Sequence, residues 1–304
     1  MQSLIAFYLS TLALLAPMLA CVGVGTYWGK RQLPFSANFL ALLVTSVSTP
    51  ALVFHTLLTT QLDNDVLIEM GGATALILFA CVVTSAVALW ILRLPVRALL
   101  QTTAFPNAGN LGLPMAYLAF GDNGFSGAIV FFAVCAFVQN TIGVRLLPNA
   151  GSTGAWKSPV LISAVLAVIL RASGLELPQW LLDSARLLGS LTVPLMLISL
   201  GYALAFIPAS GLRSGSVIAV LRLVLGAVSA WLVTALMGMS AEMQGLFVLQ
   251  TTMPCAVMSY MYATRYTDKG EVAAGAVLVS TILFLVLSPL IMALVGAPIP
   301  GLER

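Results

Sequence analysis

Charge is scarce in this sequence. Only 8% of its 304 residues are charged, while 60% are hydrophobic and the mean hydropathy is +1.06. There is one histidine, and the four cysteines are scattered, so neither a metal site nor a disulfide framework is indicated. The net charge of +3 is too small to indicate a nucleic-acid partner. We therefore expect a membrane protein without metal or cofactor.

Groups that perform chemistry are also missing. The sequence contains no Ser–His–Asp set, no H-E-x-x-H motif and no pair of intramembrane aspartates, so we expect no enzyme. No Asp or Glu lies near the middle of an apolar span. Sodium–proton exchangers with broken helices need such carboxylates, and their absence argues against that chemistry.

Apolar spans of about 20 residues recur along the chain and predict an all-α polytopic membrane protein with ten helices. A Gly-, Ser-, Pro- and Asn-rich linker, residues 147–158, divides it into residues 1–146 and 159–304, with five spans each. The predicted spans are 4–26, 36–58, 66–92, 97–119, 124–146, 158–174, 180–206, 214–237, 242–264 and 270–295.

The positions of the lysines and arginines predict the orientation. With the N-terminus outside, ten of the 13 fall at inner ends and three at outer ends, which places both termini outside, in the periplasm of a cell with an inner membrane. The outer three are Arg171, Arg186 and Arg304. We count Arg222 among the inner ten, because its side chain is expected to reach the inner face from span eight.

Residues 101–123, QTTAFPNAGNLGLPMAYLAFGDN, hold helix-breaking residues inside an apolar span. Pro106 lacks the N–H that would bond to the Thr102 carbonyl. Such a break is tolerated in a membrane where it is buried in protein or lines a polar cavity. Secondary transporters commonly bind substrate at broken helices, where unpaired backbone groups face the ligand. We therefore take this stretch as the candidate site and expect free peptide groups there at Pro106 and, in the second half, at Pro254. The alternative is a kinked structural helix.

The two halves resemble each other. QTTAFPN at 101–107 matches QTTMPC at 250–255 with one deletion, and Pro50 in span two corresponds to Pro194 in span seven. Because five is an odd number, the second half must run upside down relative to the first. Inverted repeats of this kind would bring broken spans four and nine together at the midplane.

Polar residues near the breaks are the candidate ligands. Asn107 and Asn110 are three residues apart and offer amides to a carboxylate beside a helix N-terminus, although bonding between helices is the alternative. Of the adjacent Gln139 and Asn140, we expect only Gln139 to face the site. Ser259 is a further candidate in span nine. Gln101 and Gln250 are expected to bind the freed carbonyls.

The run FPNAGNLGLP, with Pro106, Gly109 and the second break at Pro254, resembles the auxin efflux carrier family. Gln139 also matches a glutamine of that family. Bacterial members, which carry malonate or malate, are similar in length and lack the long central loop of the plant proteins, as does this chain. Some plant members have an acidic and a basic residue in span three, whereas this span has only Glu69 near its outer end.

The resemblance implies two inverted five-helix repeats. Spans 1, 2, 6 and 7 would form a scaffold, and spans 3–5 and 8–10 an elevator-type transport unit with substrate at the crossing of spans four and nine. It implies small organic anions as substrates, with the lipid bilayer as surroundings and a homodimer as an open alternative. From the residues and the resemblance together, the predicted substrate-binding residues are Asn107, Asn110, Pro106, Gly109, Gln139, Pro254 and Ser259. Two other functions stay open, a sodium-coupled symporter of the bile-acid type and a membrane receptor or channel-like protein.

Overall fold

The computed structural model describes residues 16–17, 19–59, 64–148, 159–206 and 209–296. Nearly all of them are helical, and they form no β-strand beyond one isolated backbone bridge. The helices are α1 (residues 19–30), α2 (Ala37–Leu43), α3 (Thr49–Thr59), α4 (Asn64–Ile91), α5 (Val96–Ala104), α6 (Leu113–Val138), α7 (Pro159–Ser173), α8 (Gln179–Ser190), α9 (Thr192–Leu204), α10 (Ala209–Leu236), α11 (Ala241–Thr251), α12 (Val257–Tyr266) and α13 (Gly270–Leu294). Short π-helical turns cover Val44–Ser48, Ala108–Gly112 and Gln139–Gly143.

Six helical stretches in the described ranges are long and apolar enough to cross a membrane. Large apolar side chains such as Phe79, Trp90 and Leu236 are exposed, as a lipid-facing surface requires. The chain is thus an all-helical, multi-pass membrane protein, as predicted. The count of ten spans and the inverted order of the halves stay predictions, and most of the predicted linker, residues 149–158, lies outside the described residues. The six stretches are Ala37–Thr59, Asp65–Ile91, Gly124–Gly143, Gln179–Ser199, Gly211–Leu236 and Gly270–Leu294.

Spans four and nine are both interrupted, as their prolines predict. In span four, α5 ends at Ala104, and Phe105 is extended with φ −103° and ψ 125°. The chain becomes helical again at the turn Ala108–Gly112, which continues into α6. Gly121 has φ 64° and ψ −151°, which strain any other residue, and it separates residues 113–120 from 122–138 within α6. In span nine, the interruption lies between α11 and α12.

The helices pack in two groups. Helix α3 packs against α7 and α8, and α2 against α9. Helix α10 packs against α4, α5, α11 and α13. The division of the helices into a scaffold and a transport unit stays a prediction, since α9 also packs against α12 and α13, and α6 against α3 and α7.

Helices α1 and α9 touch through their backbones. A Cβ added at Gly25 would lie 2.0 Å from the Ile198 carbonyl oxygen, and one at Gly201 would lie 2.0 Å from the Val22 carbonyl oxygen. The Thr26 hydroxyl donates a 3.0 Å hydrogen bond to the Gly201 carbonyl. Small residues permit such close helix contacts in membranes, where van der Waals packing and hydrogen bonds replace the hydrophobic driving force.

Candidate functional site

The two interruptions meet and pair through their backbones. Pro106 and Cys255 form an antiparallel bridge. The Asn107 N–H donates to the Pro254 carbonyl at 2.7 Å, and the Ala256 N–H donates to the Phe105 carbonyl at 3.1 Å. We expected free peptide groups at both prolines, and this was wrong for the four groups in these bonds. Each broken segment provides hydrogen-bond partners for backbone groups of the other, and this stabilises the crossing because unpaired backbone groups are costly in a membrane.

A cavity of about 100 Å³ lies against this crossing. Five of the predicted residues line it, while Pro254 and Ser259 do not. Drug-sized pockets are typically about 300–1,000 Å³, so this volume suits a small ligand. The five are Pro106, Asn107, Gly109, Asn110 and Gln139.

Both asparagines at the first interruption are buried, and Asn110 has an unused hydrogen-bond donor. Asn110 is 1% exposed, and its Nδ2 is buried without a hydrogen-bond partner. Asn107 is 6% exposed, and its backbone carbonyl accepts the N–H groups of Leu111 and Gly112, which closes the first turn of the second half-helix. A buried donor without a partner costs about 1–3 kcal/mol. The alternative role of Asn110 was a hydrogen bond between helices, and its Nδ2 makes no such bond.

Gln139 is held by a short chain of polar contacts. Its Nε2 donates to the Ser259 hydroxyl at 3.1 Å, and that hydroxyl donates to the Gln101 carbonyl at 3.1 Å. The Gln101 Nε2 in turn donates to the Gln139 carbonyl at 3.2 Å. Ser259 therefore braces the cavity wall from α12, a role that differs from the predicted direct contact with a ligand.

Asn140 lines the cavity beside Gln139, so the expectation that only one of the pair faces the site was wrong. The reason is the π-helical turn Gln139–Gly143, whose wider i→i+5 spacing brings adjacent residues closer to one face. The Tyr262 hydroxyl donates to Asn140 Oδ1, and Asn140 Nδ2 donates to the Ala136 carbonyl at 2.6 Å. This amide is thereby held against α12.

Gln250 and Gln101 bind carbonyls, but not those freed at the prolines. Gln250 Nε2 donates to the Gly112 carbonyl at 2.8 Å, and Gln101 Nε2 reaches the Gln139 carbonyl. Both acceptors lie in π-helical turns, whose hydrogen bonds depart from the α-helical ladder. Each glutamine therefore fixes an irregular turn beside the cavity.

Arg222 is the residue that sequence reasoning misplaced. Its side chain is fully buried, so it does not extend to the protein surface, as reaching a membrane face would require. One guanidinium nitrogen, Nη1, donates to the carbonyls of Thr103 and Ala104, while Nη2 donates to the carbonyl of Thr251. These carbonyls are the last ones of α5 and α11. The sequence offers one clue to this inward position, which is Gly226, one helical turn after Arg222. A Cβ at Gly226 would lie 2.1 Å from Arg222 Nη2.

Thr192 is a further residue that sequence reasoning missed. It opens α9, lines the cavity and is 2% exposed, and its hydroxyl has no hydrogen-bond partner. Ser48 lies two residues before Pro50, just as Thr192 lies two residues before Pro194, and its buried hydroxyl is also unpartnered. The proline correspondence between the halves could have pointed to both hydroxyls.

A larger cavity of about 390 Å³ lies near α12 and α13, but its chemistry is unsuited to an anion. Asp268 and Glu271 line it together with Tyr260. A hydrogen bond from the Lys269 ammonium lowers the pKa of the Asp268 carboxyl, so this carboxyl stays ionised at neutral pH. In the described ranges, no group of three or more His, Cys, Asp or Glu side chains is placed to hold a metal ion.

The fold and the site together define an α-helical membrane protein in which two interrupted helices meet at a small cavity lined by several amide side chains, an arrangement typical of secondary transporters. Comparison with known proteins agrees. The family model described as membrane transport protein matches residues 11–155 and again residues 152–292. The chain belongs to this family, that of the auxin efflux carriers, and is a membrane transporter.

Two archaeal relatives are described as uncharacterized transporters. One, from Methanocaldococcus jannaschii, is 27% identical over 197 residues, which cover 60% of this chain and 63% of the relative. The other, from Methanothermobacter thermautotrophicus, is 26% identical over 276 residues, which cover 84% of this chain and 87% of the relative. The first match thus spans less than two thirds of that relative, and neither description states a substrate.

Proposed function

We propose that this transporter carries small organic anions, namely carboxylates such as malonate, malate or auxin-like acids, by alternating access. The observation that carries the proposal is Asn110, a residue that lines a small cavity where two half-helices begin and whose buried Nδ2 has no hydrogen-bond partner. Helix N-termini attract anions through their free N–H groups and their dipoles. A carboxylate of the substrate would accept the hydrogen bond that Asn110 Nδ2 lacks.

The cavity walls suggest how each side chain takes part. Asn107 and Asn110 would donate amide hydrogen bonds to the anion, and the Thr192 hydroxyl would donate a third from α9. Pro254 and Ser259 would act as positioning residues, because one holds the backbone of Asn107 and the other holds Gln139. Gly109 has room only for its own backbone, since a Cβ there would lie 2.6 Å from the Phe132 ring.

The cavity has walls from both groups of helices, which supports an elevator-type movement. Helices α4–α6 and α10–α13 would move with the substrate, while α1–α3 and α7–α9 would form the scaffold. Two inverted repeats would supply two nearly equivalent packings, one open to each side. With both termini in the periplasm and the protein in the cell membrane, an inside-negative potential would favour exit of a monoanion by about 2.3 kcal/mol per 100 mV.

The proposal is tested with purified protein in a thermal-shift series of mono- and dicarboxylates, followed by counterflow of the best labelled acid in proteoliposomes. We expect saturable counterflow. The Asn107→Ala variant should keep its melting temperature without ligand and lose the ligand-dependent rise. Unchanged binding and counterflow in that variant would contradict the site. Strict dependence on sodium would favour a bile-acid-type symporter instead, and binding without counterflow would indicate a receptor.

A further inference from the structure

A buried cation lies behind the cavity and makes no ion pair. The two ion pairs of the described residues are Arg186–Asp183 and Lys269–Asp268, and neither involves Arg222. The acceptors of Arg222 are backbone carbonyls at the C-terminal ends of α5 and α11. Its position is close to the cavity wall, because the Ala104 carbonyl that it binds is two residues before Pro106.

The charges of the helix ends match the guanidinium. A helix C-terminus carries a partial charge equivalent to about −0.5 of an elementary charge, and an N-terminus about +0.5. Two C-termini at Arg222 therefore add up to about −1, which one guanidinium cancels. The cavity receives the opposite ends, since it is lined by Ala108–Asn110 at the start of one half-helix and by Val257 and Met258 at the start of the other.

We propose that Arg222 sets the charge preference of the cavity: it cancels the two negative helix ends at the crossing, so that the two positive ends act unopposed on a carboxylate. This inference rests on the proposed function and names the electrostatic basis of its selectivity. Without Arg222, the negative and positive ends would lie on either side of the crossing and largely oppose each other. Arg222 is thus a positioning residue that acts through the helix ends and does not touch the substrate.

Gly226 leaves the space that the Arg222 guanidinium occupies. A Cβ at this position would lie 2.1 Å from Arg222 Nη2 and 2.1 Å from the Thr251 carbonyl oxygen. A larger residue one turn after Arg222 would therefore displace the guanidinium from α11. The absence of a side chain at position 226 therefore leaves room for the Arg222 guanidinium between the C-terminal ends of α5 and α11.

The test uses three probes of nearly equal shape and different charge: malonate, its monoamide malonamate, and the neutral diamide malonamide. The dissociation constant of each is measured for the purified protein and for the Arg222→Gln variant. We expect the wild type to favour malonamate over malonamide, and Arg222→Gln to reduce this ratio by about tenfold or more. Arg213→Gln is the matched control, because it removes the same charge from an exposed position of the same helix and should keep the ratio.

The outcomes separate this inference from the proposed function. A wild type that does not distinguish malonamate from malonamide contradicts anion transport itself. A wild-type preference that persists in Arg222→Gln contradicts the role of Arg222 alone. If Arg222→Gln fails to fold, the Arg222→Lys variant tests the inference instead, since lysine keeps the positive charge but lacks the two guanidinium nitrogens that bind the carbonyls. A folded Arg222→Lys protein must retain the preference, and its loss would overturn the inference.

Discussion

The two interruptions share a backbone design but differ in their side chains. Pro106 and Pro254 are followed by Asn107 and Cys255 at corresponding positions, and further on Asn110 corresponds to Met258. Each segment supplies one N–H and one carbonyl to the pairing between them. The first interruption adds amides, while the second adds a thiol and apolar groups. The two interruptions are therefore alike in their backbone pairing, whereas the amide side chains that we propose as donors to a ligand lie at the first one.

The largest expected effect comes from truncating the polar member of this pair, with truncation of the apolar member as its comparison. Asn110→Ala should weaken carboxylate binding by about 30-fold, because a hydrogen bond to a charged group contributes about 1.5–3 kcal/mol. Met258→Ala, at the corresponding position in the same cavity, should weaken it by less than about threefold. Isothermal titration with the best carboxylate of the thermal-shift series measures both. Equal losses in the two variants would show that the donors are not confined to the first interruption.

A smaller effect is expected from the hydroxyls of Thr192 and Ser48, which allow a second comparison of the two halves. Thr192 lines the cavity, but Ser48 does not. Thr192→Val should weaken carboxylate binding by about fivefold, whereas Ser48→Ala should leave it unchanged and should not lower the melting temperature, since it removes a buried unpartnered hydroxyl. The same titration and a melting curve of each variant provide the measurements. A larger loss of carboxylate affinity in Ser48→Ala than in Thr192→Val would show that Ser48, and not Thr192, contacts the ligand.

The smallest effect should follow from removing the Ser259 hydroxyl, which links the second half to Gln139 and Gln101 in the first. Ser259→Ala removes the hydroxyl between Gln139 and Gln101, which leaves Gln139 in the cavity wall but frees its amide. We expect affinity for the carboxylate to fall by about two- to threefold, with a modest drop in melting temperature. Ser259→Thr keeps a hydroxyl and serves as the control. A loss as large as that of Asn110→Ala would mean that Ser259 itself binds the ligand.

The interruptions were predictable because their cause is local. Proline and glycine prevent a regular helix whatever surrounds them, so Pro106 and Pro254 mark the breaks in the sequence itself. Asn107 and Asn110 could be placed at the cavity for the same reason. The π-helical turn at Gln139 has no such marker in the sequence, and the residues that bond to it, such as Gln101 and Ser259, are distant in the sequence.

Arg222 shows why the rest could not be predicted. We expected its helix to begin at residue 214, but α10 begins at Ala209 and includes Arg222 13 residues later. At 1.5 Å per residue this depth is about 20 Å, which is too far for an arginine side chain to reach the helix end. Its acceptors are also invisible in the sequence, since any residue type at Thr103, Ala104 and Thr251 presents the same carbonyl.

The tight glycine contact between α1 and α9 has a consequence for how the protein is made. Thr26 and Gly201 are 175 positions apart, so α1 leaves the ribosome long before its neighbour exists. Until then, the bare backbone at Gly25 has only lipid or another early helix beside it. The last stage of assembly must therefore bring a segment from late synthesis against one that was inserted early, and a nascent chain stopped before α9 lacks this contact.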